Sequence, residues 1–241
     1  LQRGQMTVSV SDYRPSVVFI NGAYWGIHDV RSRWDDAWFF EHHRLNATDI
    51  DHLNYGHVTS SAITLGADKG DTVHWLELLE FAQSHDLNEP AAWAVIESRV
   101  DIESFIDFIA SESWGQNTSW AHNREFWRPR TPSGRWQWFL PDMDQTFRSS
   151  QLGGNVLSEM LSSDQLLSRL KTSTQFRQRL AQRLAAHADA TDEGRKVERR
   201  NLQLQRCGRV TLLGWHVLEH GVEQGRHVGA PLLTMRALFH R

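Results

Sequence analysis

Apolar and polar residues alternate along the first thirty positions of the chain. Val8–Val10 and Ser16–Ile20 read as strands, and Ala23–Val30 reads as the return strand of a hairpin. Asn21-Gly22 sits between them. Type I′ turns favour that dipeptide because both central residues need positive φ. The period then changes. Asp35–His43 reads as a short helix carrying Trp38 and Phe39-Phe40 inward, whereas Asn46–Gly66 mixes turn residues with short strand-like runs and is expected to be irregular. From Asp71 onward helical spacing dominates. Trp75, Leu78, Leu79 and Ala82 mark a helix Thr72–His85 with Asp71 as its N-cap. Asn88 is expected to cap a second helix running from Glu89-Pro90 to Arg99, with proline in its first turn. Asp101 opens a third, to about Trp114, whose buried stripe is Ile102, Phe105, Ile106 and Ile109. Asp101, Glu103 and Asp107 read as caps and solvated charges.

Alternation returns in Arg124–Arg128 and Arg135–Leu140, joined by Arg130-Thr131-Pro132-Ser133-Gly134, which predicts a second hairpin. Two polar loops flank it, Asn117–Asn123 and Leu140–Phe147. Pairing of the strands therefore brings Asn123 and Asp142 close in space. Beyond a flexible loop Arg148–Gly154, helices are expected at Leu157–Met160, Asp164–Leu170 and Thr174–Ala190. Gly194–Gln205 is highly charged and reads as a helix or linker, and Cys207–Arg241 has no clean period before a candidate last helix Leu232–Phe239. The sum is an α+β chain with strands early and helices late.

Composition narrows the classes of function. At 241 residues the chain suits one two-lobed domain or two small ones. A net charge of -3 gives no field that favours nucleic acid as a partner. The 11 tryptophans point to aromatic packing in the core before a glycan-stacking surface. No apolar run is long enough to span a bilayer, and a lone cysteine, Cys207, excludes an internal disulfide. His28, His42, His43, His52 and His57 show no metal-ligand spacing and read as scattered surface residues.

The candidate chemistry lies in the second polar loop. Asp142 and Asp144 are two carboxylates one residue apart, and on an extended segment they point the same way. Hard oxygen ligands of this kind suit Mg²⁺, which keeps several waters and bridges substrate phosphates, and an Asn123 amide oxygen from the neighbouring loop completes such a set. The plainer account is an Asx-rich turn at a strand end.

The stretch Asn117-Thr118-Ser119-Trp120-Ala121-His122-Asn123, followed by Arg135-Trp136-Gln137-Trp138-Phe139-Leu140-Pro141-Asp142-Met143-Asp144, resembles the spore-coat protein H (CotH) kinase family. That family's signature runs approximately N-x-D-W-x-x-N, then R/K-W-x-W-x-L-x-D-x-D. Tyr13–Gly26, which holds Val18-Phe19-Ile20-Asn21-Gly22-Ala23-Tyr24-Trp25-Gly26, and Val100–Asp107 extend the resemblance over roughly residues 10–150, and Ser173–Leu180 resembles a later family helix.

The resemblance implies an atypical protein-kinase-like α+β fold. Residues 1–85 would form a partial β-rich N-terminal lobe with a connecting helix, 86–200 a mainly helical C-terminal lobe with the hairpin site, and 201–241 a tail. It also implies ATP and Mg²⁺ as cofactors and phosphoryl transfer to serine hydroxyls of a coat or surface protein. In that scheme Asp142, Asp144 and Asn123 hold metal and nucleotide, His122 contacts nucleotide or hydroxyl, and Arg31 and Arg33 reach phosphate. Upstream family segments R-G-N-S and K-K-S-Y have no counterpart here, so a bacterial fragment lacking the start of the N-terminal lobe is expected, with an extracytoplasmic or surface setting left open.

Two positions depart from the pattern. Ser119 stands where the family has its loop aspartate, the hydroxyl-orienting base, and Ser32 stands where it has a glutamate. A serine cannot accept a proton near neutral pH. Either His122 substitutes as base, or the chain binds nucleotide without efficient transfer as a pseudokinase-like assembly protein, or the site binds something else.

Overall fold

The computed structural model describes residues 6–59, 62–148, 150 and 154–191. Its architecture is α+β. A five-stranded sheet has the order β1-β7-β6-β4-β5, built from β1 (Ser9–Val10), β4 (Ile50–Thr59), β5 (Ala62–Lys69), β6 (Glu125–Pro129) and β7 (Gln137–Leu140). β1 runs parallel to β7 and the other pairs are antiparallel. A separate two-stranded ribbon joins β2 (Tyr13–Ile20) to β3 (Ala23–Arg31). Its turn carries positive φ at both Asn21 (50°) and Gly22 (80°), as the Asn-Gly pair predicts.

Each face of the sheet packs a different set of side chains. On one face Leu53, Tyr55, Phe126, Trp136 and Trp138 meet the helices α2 (Val73–Ser84), α3 (Pro90–Arg99), α4 (Ile102–Gly115), α5 (Val156–Ser163), α6 (Leu167–Leu170) and α7 (Thr174–Thr191) in the main core. On the other, Ile50, Trp127 and Phe139 pack with Trp38 and Phe39 of α1 (Asp36–His43), and Trp34 stacks on Phe139 at 4.1 Å. Among the described residues the tryptophans thus serve mainly as core, with seven of them buried. Among the described residues no helix is long and apolar enough to cross a membrane.

α4 is the scaffold of the candidate site. Asp101 caps it by accepting from the Ser104 N–H at 3.2 Å. Ser104 Oγ in turn accepts from the Trp138 N–H at 2.8 Å, and the Asp101 N–H donates to the Trp136 carbonyl at 2.9 Å, which pins the second hairpin to the helix. The helix ends where Gln116 takes a left-handed conformation (φ 50°), and its N–H and that of Asn117 satisfy the last carbonyls.

Several expectations are corrected. Residues 46–66 are not irregular. A 3₁₀ turn, Ala47–Asp49, leads into the long pair β4–β5, which is interrupted by register shifts at His52/Leu53 and Asn54/His57. Those bulges shift the alternation and hide the strands. Phe40 is 51% exposed, because only Trp38 and Phe39 face the sheet. Asn88 does not cap α3. Its Oδ1 accepts from the Thr174 N–H at 3.0 Å and so caps α7. Asp107 is no solvated charge. It is fully buried, paired with Arg183 at 2.9 Å and bonded by the Thr7 N–H at 2.6 Å. His52, at 2% exposed, is not a surface histidine. The readings of 194–241 lie outside the described residues.

Candidate functional site

The second hairpin forms as the alternation predicts, with Phe126 opposite Trp138 and Trp127 opposite Gln137. Continuing that register sets Asn123 beside Pro141, and both line one cleft of about 350 Å³ together with His122, Asn54, Asp68 and Glu125. That size lies within the range of small-molecule sites.

A chain of hydrogen bonds ties the two loops together. Asn123 Nδ2 donates to Ser119 Oγ at 3.1 Å, and Ser119 Oγ donates to Asn117 Oδ1 at 2.8 Å. Asn117 Nδ2 donates onward to the Asp142 carbonyl at 3.1 Å. Asn123 spends its N–H on Ser119, which leaves Oδ1 as the end available to a cation. Ser119 is 8% exposed and engaged on both sides, so it acts here as a link between two amides.

Asp142 and Asp144 are both exposed. β7 ends at Leu140, and the Thr146 N–H and Oγ1–H both bond the Met143 carbonyl. The segment therefore turns at Asp144-Gln145 instead of running on as a strand, and the alternation argument for a shared face does not apply to it. Asp144 Oδ2 accepts from Gln145 at 3.2 Å, while the Asp142 carboxylate has no hydrogen-bond partner among the described residues. His122 is exposed at the cleft. Arg31 and Arg33 lie at the end of β3, exposed and outside the cleft lining, and Arg31 pairs with Asp29 at 3.4 Å. Ser32 Oγ accepts from the Asp12 N–H at 2.8 Å and so braces the entry to β2.

Sequence reasoning passed over Glu112. It is fully buried one turn before Asn117, and neither carboxyl oxygen has a hydrogen-bond partner among the described residues. Burial pushes its carboxyl up to about 8; the nearby Asn117 amide opposes this, and the Asp142 charge adds to it. The group is therefore protonated at neutral pH. Because the folded value lies above the ordinary 4.5, the native state holds a proton the unfolded chain has lost. The stabilisation is complete below that value and is lost as pH rises toward 8. The slope in that window is about 1.4 kcal/mol per pH unit. Replacing Glu112 with Gln is expected to flatten it, so that melting curves of wild type and variant diverge from pH 5 to 8 with the variant more stable at the alkaline end. Parallel curves across that range would contradict the assignment.

Asp142 and Asp144 carry carboxylate oxygens and Asn123 an amide oxygen, donor types that a hard cation takes; of the three, Asn123 lines the cleft, while both carboxylates are exposed outside its lining.

The family model described as CotH kinase protein matches residues 4–199 of the chain. No curated protein and no solved structure matches it.

Proposed function

The chain belongs to the CotH kinase family, whose character is kinase-like phosphoryl transfer with nucleotide and metal, and from that premise we propose that it transfers the γ-phosphoryl group of ATP to a serine hydroxyl of a coat or surface protein. The observation that supports this reading best is the relay Asn123–Ser119–Asn117–Asp142, which couples the two loops beside the cleft. Asp142 and Asp144, with Asn123 Oδ1, would hold Mg²⁺, which would supply charge neutralisation at the phosphates. His122, exposed at the cleft, is the chain's own candidate for positioning the acceptor hydroxyl.

A second reading has a specific observation in its favour. Ser119 is buried and saturated where the family carries its base, so the site lacks a carboxylate there. Loss of general-base assistance costs about 10²–10⁴ in rate. Against kinase turnover of roughly 1–100 s⁻¹, transfer is expected below about 1 s⁻¹. Labelled phosphate transfer from ATP to serine-containing protein tests this. Slow, Mg²⁺-dependent incorporation supports the transferase. MgATP binding with no incorporation favours the pseudokinase-like assembly role, and absence of both contradicts the two readings together.

A further inference from the structure

Three strands bring an imidazole and two carboxylates together beside the cleft, whose lining includes Asp68 and Glu125. His52 comes from β4, Asp68 from β5 and Glu125 from β6. One ligand atom of each lies within 4.8 Å of the others. We propose that His52, Asp68 and Glu125 form a binding site for a divalent transition-metal ion, zinc before manganese, separate from the Asp142–Asp144 pair.

The local structure explains why these three meet. In the β4–β5 pairing His52 opposes Lys69 and Leu53 opposes Ala67, so Asp68 is the extra residue of a bulge, a device that re-aims a side chain at strand edges and near sites. Glu125 faces Asn54 in the β4–β6 register, two residues along from His52 on the same face of β4. His52 Nε2 already meets Glu125 Oε1 at 2.7 Å. Metal bonds of about 2.0–2.2 Å hold donor atoms somewhat over 3 Å apart, so modest side-chain movement admits an ion in place of that hydrogen bond.

The surroundings support a cation. Neither Asp68 nor Glu125 has a lysine or arginine partner among the described residues, so two carboxylates share one imidazole. Arg124, which also lines the cleft, is committed elsewhere. It pairs with Asp164 at 2.7 Å and lies 3.7 Å from the centre of the Tyr55 ring. Asn54 orients the acid as outer partners of metal ligands do, with Nδ2 donating to Asp68 Oδ2 at 2.7 Å and Oδ1 accepting from the Gly56 N–H at 3.0 Å. His52 is held by packing, with the Phe39 and Phe139 rings meeting it edge to face at 5.4 and 5.5 Å. Its buried Nδ1 has no hydrogen-bond partner among the described residues, which leaves Nε2 as the nitrogen that faces the two carboxylates. A nitrogen ligand beside two carboxylates favours zinc or manganese over magnesium or calcium.

Titration of the full chain with Zn²⁺ in the absence of nucleotide tests the site, with Co²⁺ absorption as a second readout. Wild type is expected to bind one equivalent that Glu125→Gln and Asp68→Asn each weaken by about 100-fold or more. Asp68 is exposed, so its variant is not expected to compromise folding. Asp142→Ala is expected to leave this equivalent intact, which separates the proposal from the phosphoryl-transfer reading. Unchanged stoichiometry and affinity in both variants would overturn it, as would loss of the equivalent in Asp142→Ala alone.

Discussion

Asp51→Ala is expected to lower stability by about 3–5 kcal/mol, the cost of leaving a buried charge without its partner. Asp51 is 1% exposed on β4, directly opposite Arg128 on β6. Its Oδ2 accepts from Arg128 Nε at 2.9 Å, and its Oδ1 lies 3.2 Å from Arg130 and accepts from the Asp71 N–H at 3.1 Å. One carboxylate thus joins two strands, the turn after the hairpin strand and the entry to α2. Gly70 is fitted around it. A Cβ at Gly70 would overlap Asp51 Oδ1, at a φ of +66° that a side chain rarely adopts. Arg128 is itself only 9% exposed; besides Asp51 it donates to the Thr131 carbonyl at 3.5 Å. For a chain of this size each kcal/mol shifts the melting point by about 2–4 °C, so a drop of roughly 6–20 °C is expected. A melting temperature within 2 °C of wild type would show the pair to be dispensable. The exposed Arg31–Asp29 pair is expected to contribute under about 1 kcal/mol.

The buried Asp51–Arg128 pair also shows why part of the fold escaped the sequence. His52 reads as a surface residue because its partner Glu125 lies 73 positions further on, and no local spacing marks Asp51, whose partner Arg128 lies 77 positions away. Ile50 and Leu53 are both fully buried, on opposite faces, so β4 is covered on both sides and shows no apolar/polar alternation there. The second hairpin was legible because Phe126, Trp136 and Trp138 keep strict alternation around a Pro/Gly turn. The helices were legible for the same reason at a period near 3.6, although the cap of α7 was not, since Asn88 reaches it from 86 residues away. In the site, adjacency of the two polar loops followed from pairing the strands. The burial of Ser119, the turn at Asp144 and the protonated Glu112 depend on tertiary packing that no local spacing encodes.

The second large effect concerns Asp142. Its carboxylate is exposed and without a hydrogen-bond partner, so its removal costs the fold little, and any loss falls on ligand binding. A ligand at one hundred times its Kd stabilises the native state by about 2.7 kcal/mol. At 2–4 °C per kcal/mol, that raises the melting point by roughly 5–11 °C. If Asp142 holds the ion, its loss is expected to weaken MgATP binding by about 100-fold, the upper end of what loss of even an outer partner of a metal ligand costs, and the same ATP concentration then gives about 0.4 kcal/mol. The decisive measurement is the ATP-induced melting shift, with and without Mg²⁺, in wild type and Asp142→Ala. The account expects a Mg²⁺-dependent shift of several degrees in wild type that falls to about 1–2 °C in the variant. An equal shift in both proteins, or none in wild type, would contradict the claim that these two loops grip a metal nucleotide.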